Sequence, residues 1–296
     1  MKIILHSDDF GLHEEINRAI LEAAGQGVLT STSLLVNGLA VDDAIEKVKS
    51  YPRLGVGIHL NIVRGRPLCD PAEIPSLVDR NGLFLNSTTR LLVKSFLGQL
   101  SSDEIYHEYR RQILRMIDQG LRPTHFDGEK HTHLLLPEAA RTLNRLMDEF
   151  KIRKVRTINE SPVNRVLAST GIGLDGDIRQ RLKLMFLESR TKKACKLWSN
   201  FKSPDFSFGV LMSGHIRYPD SVNMAVKLLE TPLKGTLEWM LHLGYPTHLN
   251  SRENRKNFGK FFLTRSRTEE LKLVLSKEFT DKVNKNQDNL ITYREL

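Results

Sequence analysis

Cysteine is nearly absent from this chain: Cys69 and Cys195 are the only two in 296 residues, and they lie far apart. That excludes a disulfide framework and a Cys-x-x-Cys metal knot, and it fits a reducing compartment. Long hydrophobic runs are missing as well, and no stretch approaches the roughly 20 apolar residues of a membrane span. The run Ile3-Ile4-Leu5 is too short for the core of a signal peptide, and charged residues follow it at once. A soluble, cytoplasmic protein is the expectation. No Gly-x-Gly-x-x-Gly follows the first apolar run, so a dinucleotide-binding fold has no direct support. There is no solenoid period and no low-complexity tract. Acidic residues are outnumbered, 35 Asp and Glu against 44 Lys and Arg, for a net charge of +9. Nucleic acid, anionic lipid and acidic substrates can all meet such a balance. No Arg/Lys–aromatic module or zinc-finger spacing accompanies it, so nucleic acid is not an expected partner.

What is present is an alternation of short apolar strands and amphipathic helices. Residues 1–6 read as a strand, and residues 14–24 follow with Ile16, Ala19, Ile20 and Ala23 at helical spacing. Further strands are expected at 33–37, 55–60, 124–127, 155–158, 208–212 and 236–241, and helices at 41–50, from about 101, from 137 and at 269–278. Ser101 and Glu104 have the spacing of a capping box, and Pro137 suits a first helical position. About seven strands separated by helices predict a parallel sheet with helical crossovers, closed as a TIM-like (β/α) barrel that is possibly incomplete. No linker divides the chain, so residues 1–296 are read as a single domain. It carries a long loop at 63–89 and a basic lid or insertion near 172–205, where eight Lys or Arg between Ile178 and Lys202 face one acid, Glu188.

The chemistry gathers at the expected strand ends. Asp8 and Asp9 stand together at the first, Asn37 at the second, and His59 and Asn61 at the third. Asp127, Glu129, His131 and His133 stand at the fourth, Arg156 at the fifth, then His215 and His242. In barrel enzymes that face carries the active site. Adjacent carboxylates repel, and a cation or shared proton relieves them. Either aspartate could equally cap the next helix. From His125 to His133 alternate positions carry His, Asp, Glu, His and His, which point one way in an extended chain. His with carboxylate is the ligand set of zinc and similar divalent ions. A lone His59 or His242 also reads as a satisfied core histidine, and Arg156 as a partner for a carboxylate.

Together these stretches resemble the YdjC-like carbohydrate deacetylases, the family that includes chitooligosaccharide deacetylase and hopanoid-associated deacetylase-like proteins. The matching motifs are Asp8-Asp9-Phe10-Gly11, Thr30-Ser31-Thr32-Ser33 with Val36-Asn37-Gly38, and Gly57-Ile58-His59-Leu60. Further on come Pro123-Thr124-His125-Phe126-Asp127 with His131-Thr132-His133, then Val155-Arg156, and Leu237-Glu238-Trp239-Met240-Leu241-His242. The resemblance implies a (β/α) barrel that hydrolyses the N-acetyl group of an amino sugar with a divalent metal ion, Mg2+ or Zn2+. It implies Asp8 as general base, Asp9 and His59 as metal ligands, and His242 as the acid that protonates the leaving amine. Arg156 would orient Asp8 or grip a sugar hydroxyl, and Asn37, Asn61, Asp127 and His133 would contact the carbohydrate.

Two positions depart from the family pattern. Glu129 stands where the third metal histidine is expected. Glu129 binds the ion itself, His131 moves in, or the site is degenerate and the protein only binds sugar. A third carboxylate favours a harder ion such as magnesium. The second departure is His242-Leu243-Gly244 in place of His-Pro-Gly, which keeps the histidine. A phosphoester or cyclic-amide hydrolase on the same barrel is the remaining enzymatic alternative. In the basic segment Leu182, Leu184, Met185, Phe186 and Leu187 interleave with Arg181 and Lys183. That pattern suits a lid, a peripheral helix meeting anionic lipid, or an exposed helix used in a homodimer.

Overall fold

Six parallel strands, ordered β4-β3-β2-β1-β6-β5, form the centre of the computed structural model, which describes residues 1–174, 178–245 and 265–296. They are β1 (Lys2–Phe10), β2 (Ser31–Leu34), β3 (Gly55–Leu60), β4 (Phe126–Gly128), β5 (Phe206–Phe208) and β6 (Thr236–Leu241). Parallel bridges continue the curl beyond β4, from Phe126 to Val155 and from Lys154 to Lys202, just ahead of β5. Ser207 also donates its N–H to Asn159 O. Extended segment 153–159 thus joins the two edges of the sheet. The architecture is an incomplete TIM-like barrel, a single α/β domain as the strand count predicts.

The helices follow from spacing and caps. In α1 (Glu14–Gly25) the expected stripe Ile16, Ala19, Ile20 and Ala23 is buried, and His13 caps the N-terminus by accepting from Glu15 N. α2 (Val41–Val48) buries Val41, Ala44, Ile45 and Val48. α3 (Thr88–Phe96) buries only Leu91. α4 (Ser102–Asp118) buries Ile105, Tyr109, Ile113 and Met116, and Ser101 accepts from Glu104 N. The capping box is only half made, because Glu104 turns its carboxylate to Ser76 N at the long loop. After the short α5 (Thr132–Leu135), α6 opens on Pro137 (Pro137–Phe150). α7 (Ser161–Ser169), α8 (Ile178–Cys195) and α9 (Val222–Leu229) follow, and helices Ser266–Val274 and Lys277–Lys285 close the chain.

Several expected strands differ, and the first runs on to Phe10 instead of ending at residue 6. The fifth, at 155–158, is reduced to bridges, and Arg156 within it turns its side chain into the barrel to meet Asp8. The strand expected at 208–212 lies at Phe206–Phe208, since Gly209 at φ 124° breaks the extended run. His215 therefore sits in the turn that follows rather than at a strand end. The second strand lies at Ser31–Leu34, ahead of the expected 33–37. The helix expected at 269–278 is two helices, divided by Ser276 as an N-cap accepting from Phe279 N.

Barrel interiors are commonly filled by branched aliphatic side chains. This one is polar: His6, Ser31, Ser33, His59, Asp127, Arg156 and Glu238 are all buried and linked to one another. The aliphatic core lies outside, between strands and helices, as with Ile3, Leu5, Ile20 and Ile58. At the end where the strands begin, the C-terminal tail seals the barrel. Ile291 N pairs with Ile3 O, and the buried Tyr293 stacks on His125 with ring centres 3.6 Å apart. Gly57 makes room for that imidazole, since a Cβ there would fall 2.3 Å from the ring.

Candidate active site

Successive residues of a strand normally point to opposite faces. Asp8 and Asp9 nonetheless both line one cavity at the C-terminal end of the barrel. The register between β1 and β2 shifts between Ser7 and Phe10, and Asp9 takes φ 72°, in the left-handed region. A bulge of this kind re-aims a side chain. Gly11 at φ 87° then turns the chain away, which a Cβ would strain. The cavity is about 470 Å³, within the range of small-molecule sites.

Arg156 organises the floor. It is fully buried and meets three carboxylates: Asp8 at 2.8 and 3.0 Å, Asp127 at 2.9 Å and Glu238 at 2.8 Å. Burial by itself would raise the Asp8 carboxyl, but Arg156 and a hydrogen bond from His6 outweigh it and hold the group well below the usual range. Burial acts the same way on Asp127, and Arg156 with His59 again reverses it.

Opposite Asp8, one ligand atom each from Asp9, His59 and Glu129 lies within 4.8 Å of the others, all three buried. His59 Nδ1 bonds to Asp127 at 2.8 Å, and its Nε2 lies 3.3 Å from Glu129. Burial would make this histidine neutral, but Asp127 first and Glu129 next raise it well above its ordinary value. Each carboxylate of the trio also carries a guanidinium. Arg267, from the helix Ser266–Val274, binds Asp9, and Arg64 binds Glu129 at 2.5 Å. These arginines outweigh burial and hold both carboxyls low, with Lys130 helping at Glu129.

Two carboxylates and one imidazole, at this separation and lining a cavity, fit a divalent cation. His131 belongs to none of the possible ligand trios among the described residues. It lines the cavity from a left-handed turn at φ 57°, with Nδ1 buried and lacking a hydrogen-bond partner. His242 also lines it, with Nε2 3.8 Å from Asp8. Burial pushes His242 down to about 4, so its imidazole is neutral near pH 7. An acid already protonated in the resting site, as expected for this residue, is therefore not what the surroundings favour. Glu270 sits behind His242, accepts its backbone N–H at 2.5 Å, and is raised by burial to about 8.

The four residues expected to contact carbohydrate lie away from the cavity lining. Asn61 is buried and spends its side chain on Val63 N, Arg64 O and Asn37. Asn37 binds Arg64 O and Arg66 O, so the pair staples a loop. Asp127 is fully committed to Arg156 and His59, and the buried His133 bonds Arg156 O at 3.1 Å. None of the four lines the cavity. Arg156 has no exposure and meets Asp8. The polar side chains that do line the walls include Arg64, Thr88, Thr89, Lys130, Gln180 and Lys183. Arg267 and Glu238 carried no readable signal of their own. Glu238 stands inside the stretch Leu237-Glu238-Trp239-Met240-Leu241-His242, and Arg267 is brought in from the far end of the chain.

The fold and the site define a class, a (β/α) barrel with a buried carboxylate–imidazole centre at its strand C-termini. Within that class the chain belongs to the YdjC-like protein family, matched over residues 2–285. It is 30% identical over 222 residues to a carbohydrate deacetylase of Halalkalibacterium halodurans, covering 75% of this chain and 87% of that protein. A carbohydrate deacetylase of Geobacillus stearothermophilus is 38% identical over 156 residues, 52% of this chain and 60% of that one. A chitooligosaccharide deacetylase of Salmonella paratyphi B is 36% identical over 172 residues, 57% of this chain and 66% of that one. The last two matches span less than two thirds of those relatives. A crystal structure from Enterococcus faecalis V583, of a protein named for cellobiose-phosphate cleavage, superposes with a TM-score of 0.73. It covers 99% of this chain and 98% of that one at 21% identity, and so shares the fold.

Proposed function

We propose that this protein is a metal-dependent carbohydrate deacetylase that removes the N-acetyl group of an acetylated amino sugar. The observation that carries the reading is the trio Asp9, His59 and Glu129 facing Asp8 and His242 in one cavity. The named relatives support the sugar and the acetyl group. Asp9, His59 and Glu129 would hold the ion, with Glu129 taking the position where the family pattern has a histidine. The chemistry such an ion would supply there is polarisation of the acetamide carbonyl and acidification of water.

The protein's own groups handle the protons. Asp8, oriented by the two Arg156 contacts and His6, accepts the proton of the attacking water. A carboxyl held this far below its usual range keeps a proton poorly, so it hands the proton on. Neutral His242, 3.8 Å away, is placed to receive it and deliver it to the nitrogen as the C–N bond breaks. Water oxygen ends in acetate, and the sugar leaves as a free amine. Arg156 acts through Asp8 and is a positioning residue.

Acetate release from an N-acetylated amino-sugar oligosaccharide tests this directly. Release should stop on chelation and return with added Zn2+ or Mg2+. A rate indifferent to chelator would sink the metal role, and no release in any metal-loaded state would sink the hydrolase. The Arg64–Glu129 and Arg267–Asp9 pairs favour a second reading, a sugar-binding protein whose carboxylates are neutralised by arginine instead of an ion. Retained sugar binding with no divalent ion taken up in equilibrium dialysis selects it.

A further inference from the structure

Helix α8 is apolar on two faces. Leu184, Leu187 and Ala194 are buried against the barrel. On the opposite side Ile178, Leu182 and Met185 follow one another at helical spacing, with Phe186 beside them. All four are open to solvent, Ile178 and Met185 at 69% and 65%. The same free face continues into the exposed Lys192, Lys193 and Lys196, and Arg179 and Arg181 flank it. A second helix repeats the pattern. α3 exposes Val93, Phe96 and Leu97, with Phe96 at 90%, next to the exposed Arg90. Both helices form the wall of the candidate active site, α3 through Thr88, Thr89 and Leu92, α8 through Gln180, Lys183, Phe186 and Leu187. The cavity mouth is therefore bordered by two helices whose free faces are apolar and cationic. Scattered exposed apolar residues need no explanation, but a grouped set rimmed by charge does.

We propose that these two faces dock the cavity mouth onto an anionic lipid surface. Helices with apolar residues on one face among Lys and Arg lie in the interface of such surfaces. The charge argues against self-association as the alternative. A two-fold interface lays the same patch on itself, which would gather both copies of Arg179, Lys192, Lys193 and Lys196 in one interface. The one acid of the helix, Glu188, cannot offset them. It points inward, where it accepts from the N–H groups of Glu160 and Ser161 and from the Ser161 hydroxyl. Anionic headgroups would neutralise the cations while the apolar side chains enter the acyl boundary. The proposal does not depend on the reaction catalysed.

Co-sedimentation of the full chain with lipid vesicles tests it. At low salt the protein should pellet with phosphatidylcholine vesicles containing about a third phosphatidylglycerol and stay in solution with pure phosphatidylcholine. About 1 M salt should release it, as screening demands. The triple variant Phe96→Ser/Leu182→Ser/Met185→Ser should lower binding at least about tenfold, and so should Lys192→Glu/Lys193→Glu/Lys196→Glu. None of these side chains lines the cavity, and far-ultraviolet circular dichroism with the thermal unfolding midpoint checks, independently of any activity, that both variants fold. Failure of the unmodified chain to pellet with the anionic vesicles overturns the proposal, as does equal pelleting with both vesicle types. So does a concentration-dependent dimer in analytical ultracentrifugation that the serine variant abolishes, since a second copy would then cover the face.

Discussion

Arg156 is a guanidinium with no exposure, and it survives in the barrel because Asp8, Asp127 and Glu238 surround it. Removing one partner of a buried ionic cluster leaves the others uncompensated, which costs about 3–5 kcal/mol. Arg156→Leu should lose stability on that scale in urea unfolding, and acetate release should fall with it. Arg156→Lys should recover part of the stability and little of the rate, because an ammonium cannot hold Asp8 through two parallel bonds. Glu129 gives a sharper test. If it is a ligand, Glu129→Gln should weaken divalent-ion binding by about 100-fold or more, since loss of a mere outer-shell partner already costs about 10–100-fold. Glu129→His should keep the ion, and elemental analysis of the purified variants reads both outcomes.

At the scale of elements, the long segment after β3 is held by one buried carboxylate. Glu108 on α4 accepts from Leu68 N at 3.1 Å and Cys69 N at 2.9 Å, and its own helix supplies Gln112 Nε2 at 2.7 Å. Gln112 in turn bonds Asn61 N and O. The staple fixes the approach of the chain to Arg64 and so to the cavity wall. Glu108→Ala strands buried N–H donors and should cost about 1–3 kcal/mol. Limited proteolysis should then cut between residues 64 and 87 faster than in the unmodified protein. On the other wall Glu160 accepts from Val210 N and Leu211 N, holding the turn that carries Gly209 and Val210 into the cavity. Burial raises its carboxyl to about 7.

For the whole molecule, the buried titratable groups set opposite slopes of stability with pH. Glu160 and Glu270, raised by burial to about 7 and about 8, keep a proton in the folded state that the unfolded chain gives up near 4.5. Their contribution is present below that value and is lost as pH rises towards 7 and 8. His133 and His242 go the other way. Burial lowers both to about 4, so their contribution is present above 6.5 and is lost as pH falls towards 4. His125 and His131 are also lowered by burial and add to the acid-side loss. Four histidines against two glutamates below 6.5, and the two glutamates together with the raised His59 above it, place the maximum near pH 6.5. Melting temperatures should peak there and fall on both sides, more steeply towards acid. Glu160→Gln should flatten the alkaline limb. Among the described residues no helix is long and apolar enough to cross a membrane.

Local chemistry determined much of this protein. Periodicity placed α1, α2, α4, α6 and β6, because a stripe at helical spacing or a short apolar run has one stable way to bury itself. The Asp8-Asp9 pair, His59, Glu129 and His242 were all visible at strand ends, and the barrel brings them to one cavity. What the order of residues could not settle was direction and reach. Whether both aspartates face the same side depends on a register shift against β2, which is a property of two strands. Whether Asn37, Asn61, Asp127 and His133 meet a ligand depends on which neighbours claim their hydrogen bonds first, and folding commits all four elsewhere. Arg267 lies 258 residues from Asp9, and only the packing of a C-terminal helix beside α1 sets its guanidinium on that carboxylate. Sequence specified the groups because their types carry chemistry, while tertiary structure decided their charge states and partners because burial and distance act through space.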